Sequence, residues 1–259
     1  MDFLANQEGS APVVTAAMHL DLVLGRMGLT KSAVAMPQNV LLPITPVDLR
    51  AIRRLLALES AERWTIGGAG FYRQADGRFA VVGPAVGAPN AAAVLENLAA
   101  LGARHLIAFG WCGSLQGWLK TGALVVPERA IREEGTSYHY LPAGVVAEAS
   151  RGLVETVLSA CQAAGQPAVT GTVWTTDALY REARAKVLAF QAQGVLGVEM
   201  ETSAIFAVGA HLGIEIAVLL LVSDELGGSE WQVGFGSEGF RAAHEAACRI
   251  AIAAAGALS

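Results

Sequence analysis

Glu199 and Glu201 flank Met200 in GVEMETSAIFAVG, a stretch that is otherwise almost wholly apolar. A carboxylate among Val, Ile, Phe and Ala must be paired, hydrogen-bonded or neutralised, because burying an isolated charge costs too much. Its two oxygens only accept, which suits a partner offering two adjacent hydroxyls, such as the cis-diol of a sugar. On a helix starting near it, Glu201 shares one face with Ile205, Val208 and Leu212 and points to the packed side from the first turn. A helix N-terminus favours a negative charge there by roughly 0.3–1 kcal/mol. A plain helix-capping acid is the competing reading. Ser223 and Asp224 follow the apolar run EIAVLLLV. An aspartate partly withdrawn from water can hold a proton and act as a general acid. A loop aspartate tied to backbone amides would stay ionised instead.

The elements that position these residues alternate regularly. A helix is predicted over 15–27, then a strand ended by prolines and a helix capped by Asp48; short β-like runs follow over 63–83, with a turn at ADG (75–77). Helices are predicted over 89–102, 146–164, 178–193, 201–212 and 237–257, and strands over 104–109, 122–126, 168–174, 195–200 and 215–222. Near-continuous apolar strands between helices point to a largely parallel sheet covered on both faces. In such sheets ligands gather at the carboxyl ends of strands. Four ends converge on chemistry: GWCGS after 109, TTDALY after 174, Glu199-Met200-Glu201, and SDELGG after 222. GPAVGAPNAA (83–92) feeds a helix whose backbone amides can receive an anion, though tight-turn geometry alone explains its glycines. It lacks G-x-G-x-x-G, so dinucleotide binding is not expected.

Composition narrows the classes. The 259 residues, 53% hydrophobic and 16% charged, suit a single α/β domain over 1–259 with a large core and surface hidden in an oligomer. A net charge of −5 gives no footprint for nucleic acid. No uncharged apolar run reaches membrane-spanning length. The start, MDFLANQEGS, has no basic segment of the secretory kind. Cys112, Cys161 and Cys248 are far apart and the histidines scattered, so no metal site is expected and a reducing cytoplasm fits.

GVEMETSAIFAVG, followed some twenty residues later by LLLVSDEL, resembles the nucleoside phosphorylase/uridine phosphorylase superfamily, which includes the methylthioadenosine and futalosine nucleosidases. GAPNAAAVLENLAALGARHLIAFGWCGSL, GALVVPERAIREEGTSYHY and TTDALY extend the likeness over about residues 80–226, in the family's order. The resemblance implies a three-layer α/β/α sandwich with a mixed, partly barrel-like central sheet. It implies cleavage of a ribosidic C–N bond, with phosphate as co-substrate and no other cofactor, in purine salvage. Glu201 looks like the acid that holds the ribose 2′- and 3′-hydroxyls, Met200 the residue packed under the sugar, and Glu199 its sugar-side neighbour. Asp224 resembles the acid that protonates a purine leaving group. Ser223, Tyr180, Trp111, Cys112 and Gly113 fall on the base side, with Leu179-Tyr180 where the family commonly has Phe-Tyr. A cytoplasmic homo-oligomer, dimer, trimer or hexamer, is also implied.

The chemistry suits these residue types. An oxocarbenium-like sugar must be held, attacked from beneath C1′, and relieved of its base by proton donation. The departures concern the nucleophile. Where the phosphorylases read approximately R-V-G-[ST]-C-G, this chain has Ala108 for the arginine and Trp111 for the hydroxyl residue. The G-D-P-x-x-R phosphate loop is absent from residues 1–45. Arg132 with Gly110, and Arg73, are the remaining candidates to hold phosphate. The water-activating acid of the nucleosidases, in G-A-M-x-x-E, is also absent. Phosphorolysis, hydrolysis and nucleoside binding without turnover therefore stay open at this stage.

Overall fold

A computed structural model describes residues 11–34, 36–58, 63–66, 68–73 and 77–258 of the chain. The first ten residues and most of the expected turn at 75–77 lie outside these. The N-terminal part comprises α1 (Ala16–Arg26), β1 (Asn39–Pro43), α2 (Pro46–Leu55), β2 (Arg63–Ile66), β3 (Ala69–Arg73) and β4 (Ala80–Gly83). Then follow α3 (Ala88–Ala100), β5 (His105–Ser114), β6 (Leu124–Glu133), β7 (Ala147–Glu148), α4 (Arg151–Ala163) and β8 (Ala168–Thr176). The chain continues through α5 (Arg184–Ala192), β9 (Gly197–Glu199), α6 (Thr202–Leu212), β10 (Glu215–Glu225), β11 (Gln232–Val233) and α7 (Glu238–Gly256).

The sheet is mixed rather than largely parallel. Two parallel arcs, β4-β1-β5-β10 and β6-β8-β9, meet at two antiparallel seams, β10 with β6 and β9 with β5. The seams close β5, β10, β6, β8 and β9 into a barrel-like ring, with β1, β4, β3 and β2 as an extension. Strand alternation then sorts the core into two. Val40, Leu42, Leu106 and Ala108 face α1, α3 and α6, whereas Leu41, Ile107 and Phe109 face α2, α4 and α7. The result is a three-layer α/β/α sandwich. Helix α6 is buried from Thr202 to Gly209, as expected for a helix segment apolar all round. Burying Ile205 and Phe206 on it contributes about 1.5–3 kcal/mol each.

Several boundaries differ from the sequence expectation. Strand β5 continues past 109 to Ser114, so the glycine-rich segment lies inside the strand. Gly110 packs on Ile44, and a side chain at Gly113 would collide with Leu226, so glycine permits the close approach. Strand β6 runs through Pro127 because a bulge between Pro127 and Arg129 removes the need for its missing N–H. Helix α5 starts at Arg184, not 178. The Thr176 hydroxyl takes the Ala178 N–H at 3.3 Å and diverts the backbone into a short 3-10 turn, Leu179–Arg181. Helix α2 is capped by Thr45, with Asp48 as the third-residue partner of a capping box.

Candidate active site

Glu199 is the last residue of β9 and Glu201 is the N-cap of α6, so one sharp turn carries both acids. They point to different partners. Glu199 Oε2 accepts the N–H groups of Glu201 at 2.8 Å and Thr202 at 2.7 Å, while its Oε1 accepts the Thr175 hydroxyl. Thr175 Oγ1 in turn accepts the Ser203 N–H at 2.9 Å, and Ser203 Oγ donates to the buried Glu134 at 2.8 Å. Glu199 therefore supplies the capping anion that α6 requires, and its carboxylate is consumed inside the protein. Burial pushes its pKa up, against the pull of these hydrogen bonds.

Glu201 turns away from its own helix and accepts the Gly87 N–H at 2.6 Å. Gly87 is the N-cap of α3 and sits at φ 84°, a conformation that favours glycine. The helix start that could receive an external anion thus receives Glu201. Burial, then the nearby Glu199 charge, pushes the Glu201 pKa up to about 8. Asp48 adds to this repulsion, and the N–H groups of Gly87 and Met200 oppose it.

The second acid stands two strands away. In register, Gly113 of β5 lies between Val198 of β9 and Asp224 of β10, which separates the acid-bearing backbones by roughly 10 Å. A bulge between Val222 and Asp224 re-aims the strand at this point. Asp224 Oδ1 accepts the Ser223 hydroxyl at 2.6 Å, and Oδ2 accepts the Trp231 indole N–H at 2.7 Å. Ser223 Oγ also lies 3.2 Å from the Cys112 carbonyl. The Cys112 thiol is buried between the two ends; burial, then the charges of Glu199 and Asp224, push its pKa up and keep it neutral. Glu182 approaches Asp224 from the turn after β8, and burial with the Asp224 charge pushes its pKa up to about 7. Among the described residues, no group of three or more His, Cys, Asp or Glu could hold a metal ion.

A closed ring of strands with buried acids at one rim has known counterparts. The family model of the phosphorylase superfamily matches residues 40–256. The chain belongs to the phosphorylase superfamily. Among curated relatives, a purine nucleoside phosphorylase DeoD-type of Caldanaerobacter subterraneus is 30% identical over 203 residues, covering 73% of this chain and 83% of the relative. A guanosine phosphorylase of Halorubrum lacusprofundi is 28% identical over 141 residues, 54% of this chain and 58% of the relative. The matched part thus spans less than two thirds of that relative's length. Uridine phosphorylase from Vibrio fischeri shares the fold at a TM-score of 0.75 and 23% identity, covering 88% of this chain and 93% of that one. Purine nucleoside phosphorylase from Toxoplasma gondii, in complex with immucillin-H, gives 0.75 at 21% identity, covering 88% and 92%.

Against this superfamily background, several sequence-predicted residues take other places. Because β5 continues, Trp111 shares the face of Ile107 and Phe109, opposite Cys112. Its indole N–H donates to Asp48 Oδ1 at 2.8 Å, and its ring stands edge-on to Phe240 and His244. A half-buried indole needs an acceptor, and the buried Asp48 provides it, so Trp111 belongs to the α2/α7 layer and not to a base pocket. His244 and Thr45 complete the coordination of Asp48. Arg132 makes four hydrogen bonds to its own loop, to Ser137 Oγ and the carbonyls of Leu141, Pro142 and Val145, and stacks on Tyr138. Its guanidinium builds the loop and is not presented to an anion. Gly110 carries the Ile44 contact. Tyr180 is 93% exposed, on the short 3-10 turn after β8. Met200 is half-buried beside the acids. Sequence reasoning missed Glu182 and Trp231, and it did not single out Thr175 or Gly87 within the TTDALY and GPAVGAPNAA stretches that carried the signal.

Proposed function

We propose that this protein cleaves the N-glycosidic bond of a purine nucleoside with phosphate as acceptor, giving free base and ribose 1-phosphate. The observation that carries this reading is the pairing of Glu201, pre-set at a helix start, with Asp224 across a single intervening strand. Glu201 accepts the ribose hydroxyls, and Glu199 holds it in place through the turn. Asp224 gives a proton to the departing purine. Half-buried Met200 offers an apolar floor for the sugar. The relatives' names support phosphorolysis, and membership of the superfamily supports the bond cleaved.

Hydrolysis by water is the second reading, and Arg132 is the observation in its favour. With that guanidinium turned into its loop, it offers no counter-charge to a phosphate dianion. Base release from inosine or guanosine in the presence and absence of phosphate separates the two. Release that requires phosphate and yields ribose 1-phosphate supports phosphorolysis; an equal rate without phosphate assigns the hydrolase. A cytoplasmic homo-oligomer completes the proposal, supported by three buried free cysteines and by Leu179 and Tyr180 standing exposed. Among the described residues no helix is long and apolar enough to cross a membrane.

A further inference from the structure

Strand β10 turns back after Asp224 as a hairpin with β11, pairing Asp224 with Val233 and Glu225 with Gln232. Both legs are fixed. Leu226 N–H and Gly227 N–H donate to the Ser114 carbonyl, Arg184 donates to the Leu226 carbonyl, and Gln191 to that of Gly227. Glu225 is held by Lys120 and by the Thr121 N–H, and Gly234 donates to the Ser223 carbonyl. Between the legs stands Trp231, 61% exposed. Burial therefore does little to fix this ring. Its one polar atom nevertheless meets Asp224 Oδ2 at 2.7 Å.

The two partners of Asp224 differ in kind. The Ser223 hydroxyl can donate to Oδ1 or, by turning its hydrogen to the Cys112 carbonyl, accept from it. An indole N–H only donates. Oδ2 is thus fixed by a partner that cannot reverse, and Oδ1 is the oxygen left with a reversible neighbour. Without Trp231 the carboxyl group keeps only the reversible Ser223 contact to restrain rotation about its Cβ–Cγ bond.

We infer that Trp231 is a positioning residue for the acid: its indole N–H fixes the plane of the Asp224 carboxyl group so that Oδ1 is presented to the leaving base. The inference rests on the proposed role of Asp224. It makes two demands that an ornamental surface tryptophan does not meet. Loss of the N–H should matter only where the leaving group needs a proton, and it should act on turnover more than on binding.

Trp231→Phe keeps an aromatic ring and removes the N–H. With a purine nucleoside, kcat should fall on the order of tenfold, the scale of one charge-assisted hydrogen bond, with KM nearly unchanged. With p-nitrophenyl riboside, whose phenolate leaves without a proton, the loss should be several-fold smaller. Equal losses on both substrates overturn the inference. A second measurement stands apart from activity. The Trp231 indole N–H resonance, assigned by its disappearance in Trp231→Phe, should move upfield in Asp224→Ala, in which the acceptor is gone. A resonance that ignores Asp224→Ala overturns the inference even if catalysis is affected. If the wild-type protein cleaves neither substrate, the proposed function fails while the resonance still decides the contact.

Discussion

The two acid-bearing ends of the site are built in opposite ways. At the Glu199–Glu201 end every partner belongs to the scaffold: the buried Thr175 on β8, the buried first amides of α6, and the half-buried start of α3. At the Asp224 end the acid is half-buried, its neighbours are a hydroxyl that can turn and an exposed indole, and another carboxyl group, Glu182, stands close. The first end cannot rearrange without orphaning buried donors, each of which costs about 1–3 kcal/mol. The second can change partners cheaply. In the proposed function, the part that holds a sugar gains from rigidity, whereas the part that passes a proton needs access and an exchangeable neighbour.

Substitutions can break this contrast. The largest effect is expected for Asp224→Asn, which keeps the shape of the side chain and removes its proton. Turnover of a purine nucleoside should fall roughly 10²–10⁴-fold, while the nucleoside dissociation constant moves little. Comparable losses in both quantities would mean that Asp224 binds and does not donate. Glu201→Gln comes next. It replaces one acceptor oxygen by a donor, and riboside affinity should weaken roughly tenfold to a hundredfold, the scale of one hydrogen bond to a charged group. Free purine should bind as before, so a matched loss for the free base would remove Glu201 from the sugar.

The smallest effect is in stability. The Glu201 carboxyl group binds its proton more tightly in the folded chain, up to about 8, than in the unfolded one, where a glutamate titrates near ~4.3. Its contribution is therefore fully present below that lower value and is lost as pH rises through about 8. The melting temperature should drift down by a few degrees across this window, and Glu201→Gln should flatten the drift. An unchanged slope in the variant would show that another group carries it.

How much of this was legible in the sequence depended on the range of the interaction that decides each position. That Glu201 opens a helix could be read because a helix start is a local event, whereas its turn toward Gly87 could not. Asp224 could be read because it ends an apolar strand. Trp111 was misplaced through a boundary: ending β5 at 109 leaves the tryptophan in a loop. Carrying the period-two alternation on to Ser114 puts it with Ile107 and Phe109. Arg132 is a different case, since nothing local announces that a guanidinium will be spent on the carbonyls of the loop that follows it. Trp231 was beyond reach, because its position depends on a two-residue strand returning onto β10. The closure of the sheet was likewise hidden, since both antiparallel seams join segments far apart in the chain.

The bond from Gly87 to Glu201 joins residues 114 positions apart. Before that long loop closes, the chain can possess β9, the start of α6 and both glutamates, yet not the contact that sets Glu201. Closure of so long a segment costs chain entropy that only later contacts repay, which places the setting of Glu201 late on the folding route. Under the proposed function, nascent or damaged chains would accordingly be blind to nucleoside, and ligand binding would act as a proofreading signal that both halves of the chain have met.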